Sequence, residues 1–353
     1  MAIAVFLGTL VWATSLWAQP VAVDKTAYPL DDCLRLNQIQ VKGTHNSYHQ
    51  KPRMLFHEGW NYSHATLYDQ LDVQGVRSLE LDLHLSRDGK RLEVYHIAAL
   101  DARSTCKEFE HCLKEIRDWS DDHAGHVPLS IWIEVKDVTG GRKITNLRRI
   151  ENAIRRHLGD RLITPDDVKG SYGSLREAIV RRGWPLLGEV RGKVMFVLLN
   201  KKGRHTRNYT RNYTSLDGRI MFAKAADDQL DMPWAVLTHL SATHAAAIRK
   251  ALDKGFIVVA TACRAGMQDE ECFARRDAAI HNGAHIIKDD FPAKLQGRRY
   301  WFTFPADNPI QCNPVTAPDC HSLPLLPRPL SFKEARETQG ARTLKALYTE
   351  IEH

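Results

Sequence analysis

Short apolar segments typical of β-strands alternate along this chain with segments whose apolar residues recur at helical spacing. We predict strands over eight segments: residues 39–41, 76–85, 92–97, 129–136, 194–200, 220–223, 256–261 and 285–287. Predicted helices cover residues 66–74, 109–120, 144–158, 174–181, 244–254 and 271–282. Strands that alternate with helices build a parallel sheet, and a count near eight favours a closed α/β barrel of the (β/α)8 type over an open sheet.

The chain has 353 residues, enough for two domains, but no linker rich in Pro, Gly or Ser divides it. We therefore predict one barrel over residues 24–300, followed within 301–353 by a Pro-rich segment and a C-terminal helix at 331–351. No Gly-x-Gly-x-x-Gly motif follows the first predicted strand, which counts against a dinucleotide-binding sheet.

The first residues form an apolar run that ends in small side chains, as in a signal peptide. We predict residues 1–18 as the signal peptide, with cleavage after Ala18; an uncleaved anchor is the alternative. No later segment is long and apolar enough to cross a bilayer, so we expect no transmembrane segment after the signal peptide. The expected location is secreted or periplasmic.

Seven cysteines agree with an oxidising compartment. Their spacing does not follow the paired C-x-x-C pattern of a structural zinc site. Local pairing would leave Cys33 alone and form three bridges: Cys106 with Cys112, Cys263 with Cys272, and Cys312 with Cys320.

The net charge of +7 and a pI near 9.0 favour anionic partners, either nucleic acid or a membrane surface. Basic residues cluster at 142–156 and 201–211, without the aromatic pattern of an RNA-binding sheet. We interpret them as solvated faces and expect a monomer that meets an anionic phospholipid surface rather than nucleic acid.

Histidines stand at the ends of two predicted strands, where a barrel of this kind carries its active site. The first strand leads into V-K-G-T-H-N-S-Y-H, which presents His45 beside Asn46; a strand that ends in a polar turn is the alternative interpretation. The third ends in E-V-Y-H, which puts His96 at its tip. Histidine exchanges protons near neutral pH, so this pair suits opposed acid and base roles. His49 lies beyond the strand end and receives no role.

Carboxylates repeat along two further predicted strands. In S-L-E-L-D-L-H-L, Glu80, Asp82 and His84 share one face, and the two carboxylates lie roughly 7 Å apart along the strand. In L-S-I-W-I-E-V-K-D, Glu134 and Lys136 share a face. Carboxylates that face the barrel interior repel each other, and a bound cation would offset that repulsion. The alternatives are a solvent-facing edge strand for the first set and a structural ion pair for the second.

The candidate ligands supply only oxygen, which favours a hard cation over zinc. Calcium is our first expectation and magnesium the second, with substrate and water completing the shell. The ligand set consists of Asn46, Glu80, Asp82 and Glu134.

The order T-H-N-S-Y, E-L-D, a strand-end histidine and L-S-I-W-I-E resembles the catalytic barrel of phosphoinositide-specific phospholipase C. The chain is most similar to the bacterial-type, calcium-dependent, secreted branch, whose last helix and strand resemble R-R-D-A-A-I-H-N-G-A-H-I-I-K-D-D-F-P. The resemblance spans residues 36–292 and implies an irregular TIM barrel.

The resemblance also implies roles for the candidate residues. His45 and His96 would be the acid/base pair, and the four oxygen ligands would hold calcium. Lys136 and Arg264 would contact the phosphate or the headgroup, although the family usually has an arginine closer to the strand end than Arg264. The implied reaction is attack of an inositol hydroxyl on the neighbouring phosphorus, which releases diacylglycerol and a cyclic inositol phosphate.

Three other functions remain open at this point. One is a phosphodiesterase of the same superfamily that cleaves glycerophosphodiesters or sphingophospholipids. Another is a non-catalytic barrel that binds lipid. The third is a metal amidohydrolase, which ranks low because its first strand would end H-x-H, whereas this chain has His45-Asn46-Ser47.

Overall fold

The computed structural model describes residues 28–137, 142–305 and 308–320. Its strands and helices follow in chain order: β1 (Ile39–Thr44), α1 (Leu67–Asp72), β2 (Ser78–Leu85), β3 (Leu92–Val94), α2 (Phe109–Asp122), β4 (Leu129–Val135), α3 (Arg148–Leu158), β5 (Leu162–Ile163), α4 (Pro165–Lys169), α5 (Leu175–Arg181), α6 (Leu187–Val190), β6 (Val194–Leu198), α7 (Arg204–Tyr209), β7 (Met221–Ala225), β8 (Leu237–Ser241), α8 (Ala245–Asp253), β9 (Ile257–Thr261), α9 (Asp269–His281), β10 (Ile286–Asp289) and β11 (Ile310–Cys312).

Eight parallel strands close into a barrel in the order β1, β2, β4, β6, β7, β8, β9 and β10, and β10 returns to pair with β1. The predicted (β/α)8 barrel is thereby confirmed. Two antiparallel strands extend the sheet outside this ring: β3 pairs with β2, and β11 pairs with β1. The short β5 pairs in parallel with β6.

The barrel closes at β1, where a glycine makes room for both neighbouring strands. A Cβ atom on Gly43 would lie 3.0 Å from the Ser78 Cβ and 3.2 Å from the Ile286 Cγ2. Such contacts are tighter than most Cβ contacts in proteins, so a side chain here would push its neighbours aside, and glycine lets β1 fit between β2 and β10. Gly43, inside β1, thus serves the geometry of closure just before the chain reaches His45.

The alternation along β2 separates a core face from a polar face. Leu79, Leu81 and Leu83 are fully buried in the hydrophobic core. Glu80 and Asp82 point the other way, into the barrel, because successive side chains of a strand alternate. Within the ring β2 pairs with β1 and with β4, so the edge-strand alternative for this polar face is wrong.

The predicted third strand, 92–97, is not a barrel strand. It is β3, shorter than predicted and antiparallel to β2. The connection 86–91 is a tight turn, far too short for the crossover that a parallel neighbour needs. The missing barrel strand is β8, whose L-T-H-L-S sequence mixes polar and apolar side chains and was not predicted.

All three predicted disulfides are present. Cys106 joins Cys112, Cys263 joins Cys272, and Cys312 joins Cys320. Cys33 is exposed and forms no disulfide with any described residue. Three bridges agree with folding in an oxidising compartment.

Two predicted features lie outside the described residues: the signal peptide at 1–18 and the helix at 331–351. Part of the segment 301–353 is described, and it supplies β11. Among the described residues, no helix has the length and apolar character that a bilayer crossing requires.

Candidate active site

The turn after β1 lies at the mouth of the barrel and is bonded to β2. Ser47 donates its N–H to the Glu80 carbonyl at 2.9 Å, and its hydroxyl accepts the Glu80 N–H at 2.7 Å. The Thr44 and Ser47 hydroxyls are 2.7 Å apart. Asn46 adopts a φ of +44°, which Asn tolerates better than most residues. These bonds hold His45 and Asn46 against the strand that carries the carboxylates.

His45 is held through one ring nitrogen by a buried carboxylate. Its Nδ1 lies 2.9 Å from Oδ1 of Asp290, which directly follows β10. The other oxygen of Asp290 accepts the Ala265 N–H at 2.8 Å. Burial disfavours a charged imidazole, but the charge and hydrogen bond of Asp290, with a smaller effect of Glu80, raise the His45 pKa. The Nε2 atom is therefore the nitrogen available for proton exchange with a substrate.

His96 also binds a carboxylate through Nδ1, at 2.8 Å from Oδ2 of Asp101. It lies in the loop after β3 and not at the end of a barrel strand, which corrects its predicted position. Asp101 binds His49 as well, and His49 lies three residues after Asn46. This shared carboxylate brings His96 beside the turn that carries His45.

Three carboxylates meet inside the mouth. Oxygen atoms of Glu80, Asp82 and Glu134 all lie within 4.8 Å of one another. The parallel register of β2 and β4 sets Asp82 directly beside Glu134. Glu80 and Asp82 are buried, and Glu134 is half-buried. The alternation predicted from sequence and the strand register together explain this cluster.

Two lysines compensate part of this negative charge. Lys288 of β10 donates to Glu80 at 2.6 Å, and Lys136 lies 2.9 Å from Glu134 and 3.1 Å from Asp82. Burial is the largest single influence and opposes ionisation of Glu80, but the charge and hydrogen bond of Lys288, together with His45, outweigh burial and lower the Glu80 pKa to about 2. Burial dominates at Asp82, and despite Lys136 its pKa rises to about 6. Lys288 was not predicted, although alternation along I-I-K-D-D places it inward.

The oxygens of Asp82 are candidates for a cation ligand. Both are buried, and neither makes a well-formed hydrogen bond to a described residue, although Lys136 lies near one of them. The Asn46 amide oxygen accepts the Tyr48 hydroxyl at 3.3 Å. Burial, and after it the charge of Asp82, raises the Tyr48 pKa, as expected if Tyr48 bridges the two ligand candidates. An amide and three carboxylates form an oxygen-only set that fits calcium better than zinc.

Two further basic side chains, Arg264 and His239, lie near this site. Arg264 is exposed on the loop after β9, and its guanidinium makes no ion pair within the part of the chain that is described. Its positive charge opposes protonation of His45, so it lies close enough to act on that ring. His239 of β8 contacts the Thr261 hydroxyl at 3.0 Å, and burial, followed by Lys288, lowers its pKa to about 3. His239 was missed together with its strand.

A sequence profile of the family described as phosphoinositide phospholipase C, Ca2+-dependent, matches residues 34–92 and 84–314 of this chain. No curated protein matches the chain at a significant level. The matched residues cover the whole barrel and every candidate site residue named above.

Solved structures share the fold. A Ca2+-dependent phosphatidylinositol-specific phospholipase C from Streptomyces antibioticus is 23% identical, with a TM-score of 0.56 over 74% of this chain and 96% of that chain. A calcium-dependent phosphoinositol-specific phospholipase C from a Gram-negative Pseudomonas species is 19% identical, with a TM-score of 0.58 over 80% and 97%. The myo-inositol complex of the Pseudomonas protein is 18% identical, with a TM-score of 0.58 over 83% and 99%.

The profile match extends over far more than half of the chain, the solved structures share its closed barrel, and the oxygen-only cluster suits the metal of the family. The chain therefore belongs to the calcium-dependent phosphoinositide phospholipase C family, as a phosphoric diester hydrolase with calcium as its cofactor.

Proposed function

We propose that this enzyme cleaves phosphatidylinositol-type phospholipids into diacylglycerol and a cyclic inositol phosphate, which it then opens to the linear phosphate. The observation that carries the proposal is the meeting of three carboxylates beside an Asp290-bound His45 in one barrel mouth. Calcium would be held by four residues: Asn46, Glu80, Asp82 and Glu134. When bound, calcium lowers the pKa of a coordinated hydroxyl and neutralises charge on the phosphate oxygens.

His45 acts as the general base of the first step. Its Nε2 takes the proton of the inositol 2-hydroxyl, and the resulting oxygen attacks the phosphorus of the same headgroup. Asp290, 2.9 Å from Nδ1, stabilises the imidazolium that forms. The nucleophile and the phosphorus belong to one molecule, so attack needs no second reactant to be brought in.

His96 acts as the general acid of the first step. Its Nδ1 is bound to Asp101, which leaves Nε2 to give a proton to the departing diacylglycerol oxygen. In the second step the roles reverse: His96 takes a proton from water, and His45 protonates the inositol oxygen. Each histidine thus returns to its starting state after one full cycle.

The two predicted substrate contacts have different surroundings. Lys136 is bound to Asp82 and Glu134, so we assign it to balancing charge in the ligand cluster. Arg264 is exposed at the mouth and has no anionic partner among the described side chains, so it is the better candidate for a phosphate contact.

The rim beside the site suits an anionic membrane surface. The loop after β1 exposes three large apolar side chains: Met54 at 65%, Leu55 at 37% and Phe56 at 58%. The same loop carries Trp60, whose ring lies 6.1 Å from that of His96. Apolar side chains on a basic protein favour an interfacial position next to the mouth. With three disulfides, this supports a secreted or periplasmic enzyme.

A lipid panel with phosphorus NMR of the products tests the proposal. We expect phosphatidylinositol to yield cyclic and then linear inositol phosphate in calcium, and the His45→Gln variant to yield neither. His126→Gln removes a buried histidine that contacts Ser120 outside the mouth, so it should behave as wild type. Turnover of glycerophosphodiesters or sphingophospholipids instead, or lipid binding without turnover, would reject the proposed substrate.

A further inference from the structure

One buried carboxylate in the mouth serves two histidines at once. Asp101 has no exposed surface. Its Oδ2 lies 2.8 Å from Nδ1 of His96, and its two oxygens lie 2.9 and 3.0 Å from Nε2 of His49. Both contacts place a ring N–H against a carboxylate, so each imidazole has one nitrogen assigned as a donor.

A tight turn builds this contact into the backbone. Ile97 and Asp101 exchange two backbone hydrogen bonds of 2.9 Å, which folds the loop back on itself directly after His96. Ala99 adopts a φ of +66° at the tip, a conformation that alanine rarely adopts without support from the surrounding structure. The carboxylate therefore reaches a histidine only five residues earlier in the chain.

His49 is the second histidine bound to Asp101, and it is almost fully buried. Its side chain is 1% exposed and stacks on Tyr62 at 4.3 Å between ring centres. The His49 backbone pairs with that of Ser104, and the Thr105 N–H donates to the Tyr48 carbonyl at 2.8 Å. These bonds connect the segment after β1 to the segment after Asp101. The Nδ1 of His49 is buried and has no hydrogen-bond partner in the described structure. His49 therefore cannot exchange protons with a substrate, but it can anchor Asp101.

We propose that Asp101 is the positioning residue of His96 and that His49 fixes Asp101, so that the Nε2 of His96 faces the leaving oxygen with its proton. This inference rests on the proposed function, because it assumes that His96 is the acid of the first step. Asp101 touches no reacting atom. Its role is to keep the His96 ring in one tautomer and one orientation.

The Asp101→Asn substitution replaces the carboxylate by an amide of the same size, which disrupts its hydrogen bonds to the two histidines. Asn offers one acceptor oxygen and one donor NH2, whereas His49 and His96 both present N–H donors to Asp101. One of the two rings must then turn or change tautomer. His96 is the more exposed ring, at 23% against 1%, so it is the one that moves.

The test compares two soluble inositol phosphodiesters that differ only in their leaving group. An alkyl alcohol needs a proton as it departs, whereas p-nitrophenolate does not. Asp101→Asn should lower kcat about 100-fold for the alkyl ester and less than about threefold for the nitrophenyl ester, because general acid catalysis is lost. His49→Gln should show the same selectivity with a loss of about tenfold. The ratio of the two rates does not depend on the folded fraction, so it remains valid in weakly folding variants.

Two controls separate the possible failures. Glu110→Gln alters another carboxylate bound to a histidine, His157, on the outer helices, and should leave the ratio unchanged. His96→Gln reports on the proposed function itself: equal losses on both esters would reject His96 as the acid. A second outcome would overturn the positioning role while the proposed function stands. In that outcome, His96→Gln loses rate on the alkyl ester only. Asp101→Asn and His49→Gln then lose rate equally on both esters or not at all.

Discussion

Removing the charge of Asp82 should raise stability in the absence of calcium and reduce the stabilisation that calcium gives. Asp82 is fully buried, and burial next to Glu134 and Glu80 raises its pKa from 3.8 to about 6 in spite of Lys136. A carboxyl whose pKa is raised by folding binds its proton more tightly in the folded state. Stability is therefore present at low pH and is lost as the pH rises from about 4 to 6.

The size of this effect follows from the shift. A rise from 3.8 to about 6 corresponds to about 3 kcal/mol of unfavourable free energy for the ionised group above that pH. Asn resembles the protonated acid, so the calcium-free Asp82→Asn variant should be more stable than wild type by up to about 3 kcal/mol at about pH 7.5. For a chain of this length that is a rise in Tm of roughly 5 °C. At about pH 4 the two proteins should be equally stable.

Calcium should narrow the difference between the two proteins. Calcium that binds only the folded state stabilises wild type in proportion to the logarithm of the calcium concentration divided by Kd. The variant has lost one charged ligand, so its Kd for calcium is higher and calcium stabilises it less. Loss of about tenfold in affinity removes about 1.4 kcal/mol of that stabilisation. The assay is thermal unfolding in chelator and in millimolar calcium, with Glu151→Gln as control because its carboxylate binds Tyr209 outside the mouth. A variant less stable than wild type in chelator, or equally stabilised by calcium, would refute the reasoning.

Three further perturbations follow from the structure. Burial lowers the His285 pKa to about 4, and the His285 Nδ1 accepts the Val258 N–H, so the folded protein holds this ring neutral. As the pH falls from 6.5 to about 4, wild type should therefore lose about 3 kcal/mol of unfolding free energy. The His285→Gln variant should not show this loss, and urea unfolding at both pH values measures it. Phe56→Ser should lower the rate on phosphatidylinositol vesicles about tenfold and leave the rate on a soluble ester unchanged, because only the vesicle buries this exposed ring. Asp290→Asn should reduce kcat on the soluble ester about 100-fold with little change in KM, because the imidazolium of His45 loses its partner; similar kcat values in steady-state assays would contradict this role.

Features that depend on residues close together in the sequence were predictable from the sequence alone. Period-two alternation set Glu80 and Asp82 on one face of β2 and put Glu134 on the matching face of β4. Local spacing was enough to pair the cysteines, since each disulfide spans fewer than ten residues. The closed barrel followed from the number of alternating segments, although one of the eight was assigned wrongly.

Features that depend on strand direction were not predictable in the same way. Apolar patterning shows that residues 92–94 form a strand, but the short connection decides that it runs antiparallel to β2. That direction carries His96 away from a barrel strand end and into a loop. The strand β8 was missed because its polar side chains, among them His239, serve the barrel interior.

The carboxylates that orient the histidines required the tertiary structure. Asp290 directly follows β10, so the rule that sites lie at strand ends identifies it once β10 is known. Asp101 follows no such rule, because it lies in a loop whose turn brings it back to His96. His49 was given no role for lying beyond its strand, yet that position is where it meets Asp101.

The central claim is that calcium at the carboxylate cluster supports cleavage of an inositol phospholipid. The most direct measurement is the rate of cyclic inositol phosphate release from phosphatidylinositol against calcium concentration, for wild type and Glu134→Gln. We predict no release in chelator, saturation with calcium for wild type, and a requirement for at least about tenfold more calcium in the variant. Equal release in chelator and calcium, or identical calcium curves for the two proteins, would contradict the claim.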